Sequence, residues 1–234
     1  MSIAENLAAV QYEIESAAKI AGRSSRDITL MGVTKTHPPE RILEGYAAGL
    51  RVFGENRVQE FAGKTHALAD LKGAAWHMIG HLQTNKATRA AELFNAVDSV
   101  DSTKLAEKLN AAAQRSGKKL SVLIEINVGG EEVKSGLAPD SPELESLLLA
   151  GPRFEALNFR GLMTIPPFTE DSEGARPFFR RLRQLRDSIA ARHLSAIRMD
   201  TLSMGMSHDF KVAIEEGSTC IRVGTAIFGE RTVH

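Results

Sequence analysis

Lys35 closes a short apolar and β-branched run, Ile28-Thr29-Leu30-Met31-Gly32-Val33-Thr34, and is the first residue whose placement suggests chemistry. Along an extended strand, side chains alternate, so Met31, Val33 and Lys35 share one face and Leu30, Gly32 and Thr34 the other. If the first face is interior, the amine lies at the mouth of an apolar space. Desolvation there lowers its pKa and leaves a fraction as free amine, the form that attacks an aldehyde to make a Schiff base. A surface lysine with its stem along apolar neighbours, or an ion-pair partner for Glu55 or Asp200, gives the same sequence pattern. A second misfit is Arg222: Ile221 and Val223 suit a helix-covered face, which turns Arg222 inward, where a guanidinium needs an acceptor. That acceptor is either a carboxylate such as Glu125 or Asp200, or an anionic or heteroaromatic ligand. Asn56 shares a face with Val52 and Gly54, at the same mouth or in an ordinary Asx turn. Ser207, in Ser203-Met204-Gly205-Met206-Ser207-His208-Asp209, and Gly224-Thr225-Ala226 are small positions that can turn N–H groups toward a phosphate, although taken alone Ser207 is more simply a helix cap.

Other apparent motifs carry less. His77 and His81 are four apart, but on a strand and the loop after it, with no Glu following the first His, so the helical zinc-site pattern fails. One packed and one hydrogen-bonded histidine is the simpler expectation. Gly224 to Gly229 has a phosphate-loop span but continues Glu230-Arg231 in place of Lys and Ser/Thr. Arg180, Arg181, Arg183 and Arg186 crowd one helix, and in a chain without net charge they are expected to form a solvated face. Cys220 has no evident base nearby and is expected to be core packing.

The elements that must position these residues alternate regularly. Ile3, Leu7, Val10, Ile14, Ala17, Ala18 and Ala21 fall at helical spacing before Gly22, an opening amphipathic helix. Eight strand-like runs follow, at 28–34, 50–56, 75–80, 96–101, 121–127, 159–165, 198–204 and 219–225. Between them lie helical segments with their own punctuation: Pro38-Pro39 before Glu40–Ala48, Ser141-Pro142 before Glu143–Leu149, and Thr103–Arg115 ending at Gly117. Strand starts recur every 21 to 39 residues, one strand plus one crossover helix. Right-handed crossovers force the strands parallel, and eight such units predict an α/β fold, a (β/α)8 TIM barrel with an additional N-terminal helix, in one domain spanning 1–234. An open doubly wound sheet would use the same units but needs edge strands, and neither terminal strand is blunted by Lys or Pro. In a barrel, functional residues gather at the C-terminal strand ends, with phosphate often at the loops after strands 7 and 8.

Composition narrows the partners. The chain has 29 basic and 29 acidic residues, net charge zero, and no global field for a nucleic acid or an anionic bilayer. At 43% hydrophobic and 25% charged it is ordinary globular material. Cys220 is the single cysteine, which points to a reducing compartment. Glu5, Glu13 and Glu15 interrupt the N-terminal segment where a signal peptide would be apolar, and no window is long and apolar enough for a membrane span, so a cytoplasmic location is expected.

Six ordered segments carry a resemblance: Val33-Thr34-Lys35-Thr36; Phe53-Gly54-Glu55-Asn56 with Val58-Gln59-Glu60; His77-Met78-Ile79-Gly80-His81-Leu82-Gln83-Thr84-Asn85-Lys86; Gly161-Leu162-Met163-Thr164; Leu202 to Asp209; and Ile221 to Gly229. Together, over nearly the whole chain, they resemble the pyridoxal phosphate homeostasis protein family. The resemblance implies the single-domain form of the alanine racemase barrel, fold-type III, with pyridoxal 5′-phosphate (PLP) held as an aldimine. It implies that Lys35 is the Schiff-base lysine, that Asn56 lies beside the ring, that Ser207, Gly224 and Thr225 cradle the phosphate, and that Arg222 partners the pyridine nitrogen. No metal is implied. The implied function is buffering and supply of PLP in intracellular vitamin B6 homeostasis, with PLP-dependent apo-enzymes as partners, and no catalytic residues.

The competing expectation is an amino-acid racemase on the same barrel with the same lysine. Racemases of that type draw a second proton donor from a further C-terminal β domain and a partner subunit. This sequence ends nine residues after Thr225, so no such domain is expected and supply is favoured over catalysis. An arginine at the ring nitrogen points the same way, because like-charge repulsion disfavours the protonated, electron-withdrawing ring.

Overall fold

Ser2 begins the first helix with a reciprocal cap: the Glu5 N–H donates to Ser2 Oγ at 3.2 Å and the Ser2 N–H to Glu5 Oε2 at 2.7 Å. In the computed structural model, which describes residues 1–131 and 135–230, this helix, α1, runs Ile3–Ile20. It buries Ile3, Leu7, Val10, Ile14, Ala17 and Ala18, while Ala21 is its half-buried C-cap. The apolar stripe read from the sequence is therefore the face that docks.

Strands and helices then alternate: β1 Thr29–Val33, α2 Pro39–Ala47, β2 Val52–Glu55, α3 Val58–Lys64, β3 Ala75–Met78, α4 Ala87–Leu93, β4 Ala96–Val100 and α5 Thr103–Arg115. The second half continues with β5 Leu120–Glu125, α6 Pro142–Ala150, β6 Leu157–Met163, α7 Arg176–Ala190, β7 Ile197–Met206, α8 Phe210–Glu215, β8 Cys220–Val223 and α9 Thr225–Phe228. All neighbouring strands are parallel, and β8 pairs back onto β1 through Thr29↔Cys220 to Gly32↔Val223, closing the barrel. That closure removes the edges that an open sheet would expose. α1 packs against α8, α9 and α2, beside the seam where β8 meets β1.

Two apolar regions follow from the pleat. Outward residues such as Phe53, Val97, Val122, Phe159, Ile221 and Val223 join the helices in one continuous core. Inward, Met31, Ile79 and Cys220 form a small cluster with Val33 and Val52. Each fully buried aliphatic side chain contributes about 2 kcal/mol from area removed from water. Cys220 is 5% exposed, and burial pushes its thiol up to about 12, so it is packing and not a nucleophile.

Several sequence expectations change here. Three strands stop short of their expected ends, β1 at Val33, β2 at Glu55 and β8 at Val223, so Lys35, Asn56 and Gly224 sit in the turns that follow, whereas β7 runs on to Met206. The arginine-rich helix is solvated at Arg180 and Arg181, as expected, and is ion-paired as well. Arg176, Arg180 and Arg183 of α7 all reach Glu216, at 3.2, 2.8 and 3.4 Å, and Glu216 is only 5% exposed. His77 and His81 both meet carboxylates, Asp98 at 3.0 Å and Asp101 at 3.1 Å. Among the described residues no cluster of three or more His, Cys, Asp or Glu could hold a metal, and no helix is long and apolar enough to cross a membrane.

Candidate functional site

A cavity of about 570 Å³ opens at the C-terminal end of the barrel, within the range of small-molecule sites. Its lining includes Lys35, Asn56, Ser207, Arg222, Gly224 and Thr225, contributed by the ends of β1, β2, β7 and β8. All six candidates from the sequence therefore meet in one space. Lys35 and Asn56 are half-buried, Thr225 is exposed and Arg222 is 3% exposed, so charge lies at the floor and hydroxyl groups at the rim.

Arg222 is fixed by two acceptors, Ser203 Oγ at 2.7 Å and the Thr164 carbonyl at 2.7 Å. Neither is a carboxylate. Asp200 lies outside, in exposed pairs with Arg160 at 3.1 Å and Arg198 at 3.0 Å, which removes it as a partner of Arg222 or Lys35. Burial lowers the affinity of Arg222 for its proton, and Asp98, Glu125 and Asp209 offset this by their negative potential. A guanidinium held by neutral acceptors keeps its charge available to whatever fills the cavity.

Glu125 lines the same cavity and is 5% exposed, yet its Oε2 has no hydrogen-bond partner among the described residues. Burial pushes its carboxyl up to about 7, with repulsion from Asp101 adding and Arg222 opposing. A buried orphan oxygen at a cavity wall marks a ligand-facing position. The sequence considered Glu125 only as an ion-pair partner of Arg222; its inward phase at the end of β5 was the signal that could have found it.

The turns are held in place by their own bonds. After β7, the Met206 N–H donates to Asp209 Oδ1 at 2.6 Å and the Asp209 N–H to the Met206 carbonyl at 3.1 Å, which pins Ser207 between them. Gly80 allows the loop after β3 to lie on Asn56, since a Cβ there would come within 2.4 Å of the Asn56 carbonyl oxygen. His81, rejected as a metal ligand, nonetheless lines the cavity with its Nδ1 toward Asp101.

This geometry coincides with an established group of proteins. Residues 6–232 match the family described as alanine racemase, N-terminal domain. Over 232 residues, 99% of each chain, the sequence is 47% identical to the pyridoxal phosphate homeostasis protein of Aquifex aeolicus. The chain belongs to the pyridoxal phosphate homeostasis protein family. PipY of Synechococcus elongatus has been solved with PLP bound; it is 35% identical, with a TM-score of 0.83 over 97% of this chain and 100% of that one. The wider fold is that of the racemases: alanine racemase of Clostridium difficile superposes with a TM-score of 0.72 at 15% identity, covering 99% of this chain and 57% of that one.

The residues present fit PLP on their own chemistry. A lysine amine suits an aldehyde, the Ser207 and Thr225 hydroxyls and adjoining backbone suit a phosphate, and a fixed guanidinium suits a neutral ring nitrogen as acceptor.

Proposed function

We propose that the protein binds PLP in this cavity and serves as a buffer and source of the cofactor in vitamin B6 homeostasis, in the cytoplasm, with residues 1–234 acting as one PLP-binding barrel domain. The observation that carries the reading is the meeting of Lys35, a buried Arg222 and the hydroxyl-bearing turns after β7 and β8 in one cavity. When bound, PLP supplies an aldehyde that holds amines and a ring that can draw electrons. Lys35 attaches it, Ser207, Gly224 and Thr225 hold the phosphate, and Asn56 lies beside the ring. Arg222 faces the ring nitrogen and keeps it unprotonated by like-charge repulsion, which suits storage better than carbanion chemistry. Recipients are PLP-dependent apo-enzymes, and the protein itself is not an enzyme.

Borohydride reduction followed by peptide mapping tests the attachment: the pyridoxyl mass is expected on Lys35 and absent from Lys35→Ala, and its appearance on Lys211 refutes the assignment. Mixing the loaded protein with an apo-enzyme tests supply, with recovered activity expected in the recipient. Racemisation of any common amino acid at rates on the order of 1–10³ s⁻¹ would replace supply by catalysis.

A further inference from the structure

The Glu55-Asn56 and Val58-Gln59-Glu60 segments contain residues to which cofactor binding assigns no role. They converge beside Lys35. Lys64, on the last turn of α3 and 8% exposed, donates to Glu60 Oε1 at 2.7 Å and to Glu55 Oε1 and Oε2 at 3.1 and 3.3 Å. Its ammonium also donates to the Thr34 carbonyl at 3.1 Å. Glu55, fully buried, accepts the Thr34 hydroxyl at 2.7 Å. On the far side of Lys35, the Thr36 N–H donates to Glu60 Oε1 at 2.6 Å. One ammonium and two carboxylates thus hold the residue before Lys35 and the residue after it.

The backbone there needs holding. Thr36 has φ 67°, a left-handed conformation that a β-branched residue adopts only when its surroundings impose it. The His37 N–H closes the turn onto the Thr34 carbonyl at 3.1 Å. Burying an ion cluster carries a desolvation cost that an apolar replacement would avoid. Burial raises the Glu55 carboxyl, and Lys64 only partly counters it; Glu60, despite some burial, is held low by its bonds from Lys64 and the Thr36 amide. A cluster with that cost, gripping both flanks of one lysine, has a positional output.

We propose that Glu55, Glu60 and Lys64 are positioning residues that lock the backbone at Thr34 and Thr36, so that the Lys35 amine enters the cavity in one orientation. This rests on Lys35 carrying the cofactor. Displacing a reacting group by about 1 Å can cost on the order of a hundredfold in reactivity, so loss of the lock should loosen PLP attachment before it unfolds the barrel.

Glu60 is the residue to alter, because its side chain is 26% exposed and Glu55 keeps its ammonium when Glu60 is gone. Thr36 and Lys64 use the same Glu60 oxygen, so Glu60→Gln can keep both bonds through its amide oxygen, whereas Glu60→Ala loses both. The readouts are the visible circular dichroism of bound PLP at full occupancy, its release rate, and the thermal midpoint of the cofactor-free protein. Expected for Glu60→Ala is loss of most of the dichroism and release faster by about 10- to 100-fold, with the midpoint within a few degrees of the parent. Glu60→Gln is expected to match the parent. Parent-like dichroism and release in Glu60→Ala, or equal impairment in Glu60→Gln, overturns the proposal. Mapping of the unaltered protein separates the two readings: pyridoxyl on another lysine overturns both, while pyridoxyl on Lys35 with an unaffected Glu60→Ala overturns the lock alone.

Discussion

Glu125 shows how one residue can carry information that its type and spacing do not display. Its carboxyl is raised to about 7 from an ordinary 4.5, chiefly by burial. The folded protein therefore holds this proton more tightly than the unfolded chain, and stability present below pH 4.5 is lost as pH rises to about 7. The window corresponds to about 3 kcal/mol. Glu125→Gln is expected to flatten that part of the stability curve in the cofactor-free protein, leaving pH 4 unchanged and raising the midpoint at pH 8; urea titrations at the two pH values check it. Arg222 behaves differently, because its bonds to Ser203 and the Thr164 carbonyl are structural as well as oriented toward the cavity. Arg222→Leu should leave the buried Thr164 carbonyl without its donor and Ser203 with only the Cys220 thiol, and lose about 2 kcal/mol of stability, measured by urea unfolding. Arg222 was legible because a period of two assigns a face to any residue in an otherwise apolar strand, and Lys35 because it comes just after one. Lys64 was not, since only the tertiary fold brings its ammonium to Thr34, thirty residues away in the chain.

At the scale of elements, the useful positions lie just past the strands. Ser207, Gly224 and Thr225 follow β7 and β8, neighbours in the barrel whose register sets Met206 opposite Arg222. If these turns hold the phosphate, unphosphorylated pyridoxal should bind at least tenfold more weakly than PLP, because charge-assisted hydrogen bonds are lost; equal affinities by fluorescence titration would remove that role. The sequence located these turns through their small residues but misplaced the strand ends: alternation carried β8 past Val223 into its turn, while Gly205, which weakens a strand pattern, hid the last two residues of β7. The arginines of α7 make the reverse point. Their spacing resembled a solvated face, and only the approach of Glu216, just after α8, made them a network. Glu216→Ala is expected to lower the thermal midpoint by about 2–4 °C, a modest loss because the freed arginines regain water. A calorimetric scan decides it.

The whole molecule assembles its site from opposite ends of the chain. Lys35 and Asn56 come from the first two strands and Ser207 to Thr225 from the last two, so the cavity exists only once β8 has paired with β1. PLP should consequently stabilise the closed barrel by mass action, about 2.7 kcal/mol at a hundredfold excess over its dissociation constant. That corresponds to roughly 5–10 °C in the thermal midpoint, and the shift should be much smaller in Lys35→Ala; a ligand-dependent melting series checks both. The sequence by itself determined the order of eight strand and helix units, the docking face of α1, the inward phase of Arg222 and the place of Lys35 just past a strand end. These are consequences of local periodicity and capping, which act over a few residues. Closure followed from the number of units and the lack of guarded edges. Tertiary structure alone decided that Arg222 is held by neutral acceptors, that Asp200 is outside, that Glu125 keeps an orphan oxygen at the cavity wall, and that Lys64 grips the backbone beside Lys35. Each of these depends on distances between residues remote in sequence, and on burial, which sets the strength of every charge and belongs to the packed molecule rather than to any segment of it.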